Sequence, residues 1–196
     1  MGPLFYYIGV MEQIFTDAQF DNIDHPLEKG EYEQCRFTRC DLPAAELSGI
    51  VFIDCVFERC NLSMADTART TFRDVLFKDC KLWGIHFEKC SEYGLAFRFE
   101  GCSLNHSSFF GTKLPKMSFW DSQLREVDFT DCDLKDAVFD KCDLTDATFE
   151  NTNLEKVDFR SAEHYSINPE RNKLKRAKFS LTGLPGLLTK YDIDIY

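Results

Sequence analysis

The chain has 196 residues with 33 acidic and 23 basic side chains, for a formal net charge of −10. Hydrophobic residues make up 44% of it, enough for a core, and the length fits one domain with short appendages. The acidic balance argues against direct binding to nucleic acid or an anionic membrane, and for a basic partner or plain solubility.

Residues 1–14 read as an N-terminal extension. The opening MGPLFYYIGV is apolar but lacks the basic flank and small-residue cleavage site of a secretory signal, and Met11 offers a second possible start. No apolar run approaches the ~20 residues that span a bilayer, so a cytoplasmic location is expected.

From residue 15 to 164 the chain keeps a five-residue clock. Cys35, Cys40, Cys55, Cys60, Cys80 and Cys90 fall on it, and Cys102, Cys132 and Cys142 fall on the same clock after a two-residue slip. Two residues after each cysteine phase stands a centre, from Leu27 to Phe97 and then from Leu104 to His164. Of these 28 centres 25 are Leu, Phe or Tyr, the exceptions being Thr67, Glu92 and His164. A period of five is neither the 3.6 of a helix nor the 2.0 of a strand, so it marks a repeat architecture.

Two inward positions in every five suit a chain that turns a corner every five residues, and four sides close a coil of 20. Phe37, Phe57, Phe77, Phe97, Phe119, Phe139 and Phe159 then form one column, with Leu42, Leu62, Leu82, Leu104, Leu124 and Leu144 in the next. The expected fold is all-β, a parallel solenoid of about seven coils, roughly 34 Å long at the spacing of neighbouring strands. The slip is placed as a bulge at 98–101. Glu92, on a buried centre, predicts a distorted coil with Tyr93 or Leu95 filling the space, the alternative being a partner-contact notch. The cysteines at the narrow inward position act as small hydrophobes rather than as a redox or metal set. Trp83 and Trp120, just after inward positions, should lie on the surface.

Residues 121–159 hold twelve acids against Arg125, Lys135, Lys141 and Lys156. None of the twelve is on an inward position. Two coils are roughly 10 Å of rod, over which duplex DNA carries about six charges, so the densities are comparable. Asp121, Glu126, Asp128, Asp131, Asp133, Asp136, Asp143 and Asp146 are the candidate partner-binding surface. The plain alternative is that Asp suits repeat corners and keeps a rod soluble.

Residues 165–196 read as a cap. Arg171, Lys173, Lys175, Arg176 and Lys178 reverse the sign, and are expected to pack against an acidic face or beside a dimer seam. Ser180 is a plausible N-cap for an amphipathic helix carrying Leu181, Leu184, Leu187 and Leu188, with Pro185 in its first turns. Such a helix would close the last coil, which a solenoid requires. Together with Phe179, and with Ile193 and Ile195 on a final strand, the same apolar surface could join two subunits. No catalytic, cofactor-binding or metal-ligating residues are assigned, because no nucleophile–base pair, carboxylate dyad, phosphate loop or ligand cluster stands out.

The run CDLKDAVFDKCDLTDATFEN at 132–151 resembles the motif of the pentapeptide-repeat proteins, which implies a right-handed quadrilateral β-helix. The stretches 60–87 and 165–195, with KRAKFSL ahead of a Leu-rich segment, are similar to the albicidin- and quinolone-resistance members of that family. That resemblance implies a homodimer joined at its C-terminal ends. It also implies a mimic of duplex DNA that binds DNA gyrase or topoisomerase IV and protects it from those inhibitors. The chain lacks the long projecting loop of the quinolone-resistance members. An intracellular scaffold without a topoisomerase role is the alternative, and self-immunity to a gyrase-directed peptide a third reading.

Overall fold

The computed structural model describes residues 13–195, so the expectations for 1–10 lie outside the described residues. Short strands stack in parallel into two ladders. One sheet has the order β1 (Gln13–Thr16), β3 (Gly30–Glu33), β5 (Val51–Ile53), β7 (Thr71–Arg73). The other runs β2 (Gln19–Asp21), β4 (Arg36–Thr38), β6 (Val56–Glu58), β8 (Val75–Lys78), β9 (Phe97–Glu100), β10 (Ser118–Trp120), β11 (Val138–Asp140). Parallel bridges of single residues, such as Ser108–Asp128–Thr148 and Ser103–Gln123–Asp143–Glu163, continue the same stacking on the remaining sides. The result is an all-β four-sided solenoid whose faces carry, in chain order, the columns of Phe37, Leu42, Leu47 and Phe52.

The corners follow from backbone conformation. Two residues after a centre the chain enters the left-handed region, as at Asp54, Asp74, Asp79, Asp121, Asp131, Asp136 and Asp146. Asp and Asn tolerate that region better than most residues because their short polar side chains bond locally. One residue before a centre, a carboxylate or amide oxygen accepts an N–H two residues on, as in Asp128 from Thr130 at 2.8 Å and Asp143 from Thr145 at 3.1 Å. Much of the acidic composition is therefore built into the turns.

Inside, the centres stack. Phe20, Phe37, Phe57, Phe77, Phe99, Phe119, Phe139, Phe159 and Phe179 form one continuous pile of near-parallel rings. The pile extends one ring beyond the predicted column at each end, so the coil count departs slightly from about seven and coiling continues past residue 164. A second pile crosses it edge to face. It is built from Tyr32, Phe52 and Phe72 on the fourth face in the N-terminal half, and from Phe87, Phe109, Phe129 and Phe149 on the third face thereafter. Such ring pairs contribute ~0.5–1.5 kcal/mol each beyond the burial of their area.

The slip lies upstream of its predicted place. Residues 98–101 are not a bulge: Phe97 pairs with Val75 and Phe99 with Phe77, so β9 is in register and Phe99 rather than Phe97 occupies the column. The two extra residues are absorbed within 91–96, where Glu92, Tyr93 and Gly94 are exposed, Tyr93 to 82%. Glu92 thus avoids the core, and Tyr93 does not fill its place. Leu95 packs partly against the core, and Phe97, on a position normally held by a small residue, swings its ring between Phe72, Phe87, Phe99 and Phe109. A large ring at a narrow position compensates for a missing centre on the adjoining face.

All nine cysteines are free and buried. They are more than small hydrophobes: the thiols of Cys55, Cys60, Cys80, Cys102, Cys132 and Cys142 donate to carbonyls of the preceding coil. Thr70, Ser107 and Thr152 do the same at equivalent positions. Burial pushes the thiols of Cys55, Cys90 and Cys142 up to about 12. Iodoacetamide at pH 8 should therefore label none of the nine in the folded protein and all of them in guanidinium, read by mass spectrometry; rapid native labelling would contradict this packing.

The C-terminal cap is not an α-helix. Two 3-10 turns, Leu184–Leu187 and Thr189–Tyr191, follow Ser180, whose hydroxyl accepts the Gly183 N–H at 3.1 Å. Gly183, Pro185 and Gly186 shorten the segment, and the glycines seat it tightly: a Cβ on Gly186 would stand 2.3 Å from the Tyr165 carbonyl. Leu187 and Phe179 pack on the core, while Leu181 is 88% exposed. Residues 192–195 form no strand, and Ile193 and Ile195 are exposed.

Candidate partner-binding surface

The eight predicted acids do not share one face. Asp121 sits at the corner between the first and second faces, and Asp143 opens the second face in the bridge Gln123–Asp143–Glu163. Glu126 and Asp146 occupy the next corner in successive coils, with the Glu126 N–H bonded to the Thr145 carbonyl at 2.9 Å. Across that corner Asp128 opens the third face. Asp131 ends it, and Asp133 opens the fourth in the bridge Lys113–Asp133–Asn153. Asp136 closes the fourth face. All eight reach solvent at least in part.

Their neighbours divide them further. Arg125 and His164 bracket Asp143, at 2.6 and 3.0 Å. Burial works against that carboxylate's charge, but hydrogen bonds from Thr145, His164 and Arg125 outweigh it and hold it far below the usual carboxylate range. Asp136 lies 3.7 Å from Lys156 on a fourth face that also carries Lys113, Lys116, Lys135, Lys173, Lys175 and Arg176. Glu126 lies 3.2 Å from the His106 ring. Among the described residues, Asp121, Asp128, Asp131, Asp133 and Asp146 form no ion pair. The strongest acidic patch therefore wraps the second and third faces through Glu126, Asp146, Asp128 and Asp131, while the fourth face is interleaved with lysine. Linear counting along 121–159 could not separate these faces, although the 20-residue period contains the information.

The basic tail continues the coil. Arg171 pairs with Glu150 at 3.2 Å and Lys178 with Asp158 at 3.4 Å, while Lys173, Lys175 and Arg176 form no ion pair among the described residues, so the expected packing against acids holds for two of the five. Asp158, held also by Arg160, titrates at about 2, chiefly through the Arg160 hydrogen bonds. Trp83 and Trp120 are on the surface; Lys81 lies over the Trp83 ring, whose N–H donates to Ser103 Oγ. A notch lies beside 91–96, where Phe110 is exposed next to Glu88 and Leu95, at the place the second reading of Glu92 pointed to. Among the described residues no cluster of His, Cys, Asp and Glu could hold a metal ion, and no helix is long and apolar enough to cross a membrane.

A family model described as the pentapeptide repeat region matches residues 31–98 and 86–159. No curated protein sequence is similar enough to the chain to match it. Among solved structures, trypsin-treated QnrB1, described as a plasmid-mediated fluoroquinolone resistance protein, superposes with a TM-score of 0.62 at 17% identity, covering 94% of this chain and 98% of that one. Full-length QnrB1 gives 0.49 at 18%, covering 92% and 100%. HetL, a pentapeptide repeat protein involved in heterocyst differentiation regulation from the cyanobacterium Nostoc, gives 0.47 at 16%, covering 88% and 86%. At these identities the likeness is one of fold.

Proposed function

We propose that this chain, which belongs to the pentapeptide-repeat family, is an interaction protein that presents an acidic rod to the DNA-binding saddle of DNA gyrase or topoisomerase IV and protects the enzyme from albicidin or quinolones. Proteins of this fold act as structural or interaction modules. The observation that carries the reading is the solvent-facing patch of Glu126, Asp131 and Asp146 on left-handed corners and Asp128 at the start of the third face. A surface built to meet basic residues in place of phosphates binds with steep salt dependence. Binding to immobilised gyrase should therefore weaken at least tenfold between 50 and 200 mM salt, and duplex DNA should compete with it. Flat salt dependence without competition would leave the scaffold reading in front. One observation favours that second reading: Asp131, Asp136 and Asp146 hold left-handed corners, where short polar residues are common whatever the partner.

The rod lengthens if two chains meet at their C-terminal ends. Exposed Leu181, Leu184, Leu188, Tyr191, Ile193 and Ile195 at that end support a homodimer. Light scattering should give twice the 22.8 kDa chain mass, and Leu181→Asp with Ile193→Asp should return it to that of one chain. A monomeric parent protein, or a doubly substituted one that stays dimeric, would contradict this arrangement.

A further inference from the structure

The corner between the second and third faces forms one ridge along the rod, occupied in successive coils by Ala44, Met64, Gly84, His106, Glu126 and Asp146. Each corner N–H bonds the carbonyl just before the next corner, as Met64 does Trp83 at 2.7 Å and His106 does Arg125 at 2.9 Å. At the spacing of neighbouring strands, Met64 stands ~14 Å from Glu126 and ~19 Å from Asp146.

The two ends of this ridge differ in chemistry. The C-terminal end carries Glu126 and Asp146 of the acidic patch, both exposed. The N-terminal end is apolar. Met64 is 65% exposed and Trp83, beside Gly84, is 41% exposed, with Pro43 and Ala44 open to solvent one coil further. Gly84 widens this floor, because a Cβ there would collide with the Met64 sulfur that lies against it. The indole is already fixed: its N–H donates to Ser103 Oγ at 2.6 Å, and Lys81 Nζ lies 4.1 Å from the ring centroid. A side chain ordered in advance loses little entropy on binding, and Trp and Met are concentrated in interface cores. The solenoid itself demands neither residue. In the next coils Asn105, Arg125 and Thr145 take the position of Trp83, and His106, Glu126 and Asp146 that of Met64.

We propose that this ridge docks one polypeptide segment of a partner protein, apolar at one end and basic at the other. Its apolar side chains rest on Met64 and Trp83, and its cations meet Glu126 and Asp146. Continuity and charge decide the occupant: the apolar floor and the acids share one corner column, within the ~21 Å that fourteen helical residues span. Imitation of phosphates accounts for the acids alone. The apolar end adds contact that salt does not screen and selects among basic partners. The inference rests on the acidic patch being a partner-binding surface, and not on the partner being a topoisomerase.

The test is NMR of the full chain with methyl-labelled methionine, titrated with a fourteen-residue probe peptide. Leucine and phenylalanine fill the first half of the probe, arginine and lysine the second, and two control peptides each replace one half by glutamine and serine. The probe should shift the Met64 methyl, the Trp83 indole N–H and the amides of Glu126 and Asp146 together, and bind about tenfold or more tighter than either control. Met64→Gln with Trp83→Asn should weaken the probe by about tenfold or more and leave the basic control nearly unchanged. The fold should survive, since Gln34 holds an equivalent left-handed corner and Asn105 an equivalent of position 83, and the variant's own spectrum reports it. If the acid amides shift while Met64 stays still with every peptide, this inference falls and the acidic patch stands. If the acid amides never shift, both fall. Undiminished probe binding by the folded double variant also overturns the proposal, as does a Met64 methyl that moves on concentrating the protein alone, which would assign the ridge to a second copy.

Discussion

Glu126→Lys, Asp131→Lys and Asp146→Lys combined with Asp128→Asn should abolish the proposed topoisomerase binding while leaving the solenoid folded. The fold should survive because Lys116, Lys141 and Lys156 already occupy equivalent left-handed corners. Asn at position 128 keeps an oxygen to accept the Thr130 N–H, as Asn61 and Asn153 do for their own corners. Loss of two charge-assisted hydrogen bonds at ~1.5–3 kcal/mol each already corresponds to a fall in affinity of about 100-fold or more. Asp136→Lys with Glu155→Lys on the fourth face is the control for Glu126→Lys with Asp146→Lys alone, a pair that changes the net charge equally. Those acids stand among lysines, so their reversal should change affinity by less than about threefold. Binding measured by interferometry, with circular dichroism as the check on folding, decides the matter. Equal effects from both sets would mean that net charge, not a shaped patch, is being read.

The second large effect is on the ring pile. Phe119 is fully buried, stacked between Phe99 and Phe139 and edge-on to Phe109 and Phe129. Phe119→Ala should cost about 3–5 kcal/mol, because the coils above and below are tied by backbone ladders and cannot collapse into the space. Guanidinium unfolding should show the lower midpoint. Hydrogen exchange should show the loss concentrated in the coils around β10, since each repeat touches only its neighbours. A loss below about 1 kcal/mol would mean that the pile repacks, contrary to the rigid stacking described above.

The fold was legible because its rule is written every five residues. A Leu or Phe at each centre and a small side chain two before it are demanded by a square coil, and no helix or strand makes that demand. Where the rule broke, the sequence misled. Glu92 marked the distortion, but the slip was placed at 98–101 because Phe97 still fell on the clock. Only pairing shows that Phe97 has moved to a narrow position and that Phe99 has taken the column. The cap was misread for a different reason. Leucines at helical spacing promised a helix, but Gly183, Pro185 and Gly186 favour tight turns, and the seating on Tyr165 leaves no room for a Cβ. The acids of 121–159 divide among the faces because adjacency along the chain is not adjacency on a solenoid, where position 126 neighbours position 146. The notch beside Phe110 was announced only by Glu92 on a centre, because its walls come from side chains distant in sequence.

The central claim is that the acidic coils stand in for DNA on a type II topoisomerase, and supercoiling by purified gyrase tests it most directly. The protein is titrated into the reaction alone, with a quinolone, and with albicidin. The account predicts that low concentrations restore supercoiling to drug-treated enzyme and that high concentrations inhibit the untreated enzyme by competing with DNA, both effects vanishing with the Glu126, Asp128, Asp131 and Asp146 variant. Folded protein that leaves supercoiling unchanged in every arm, using gyrase from the same cell, would contradict it.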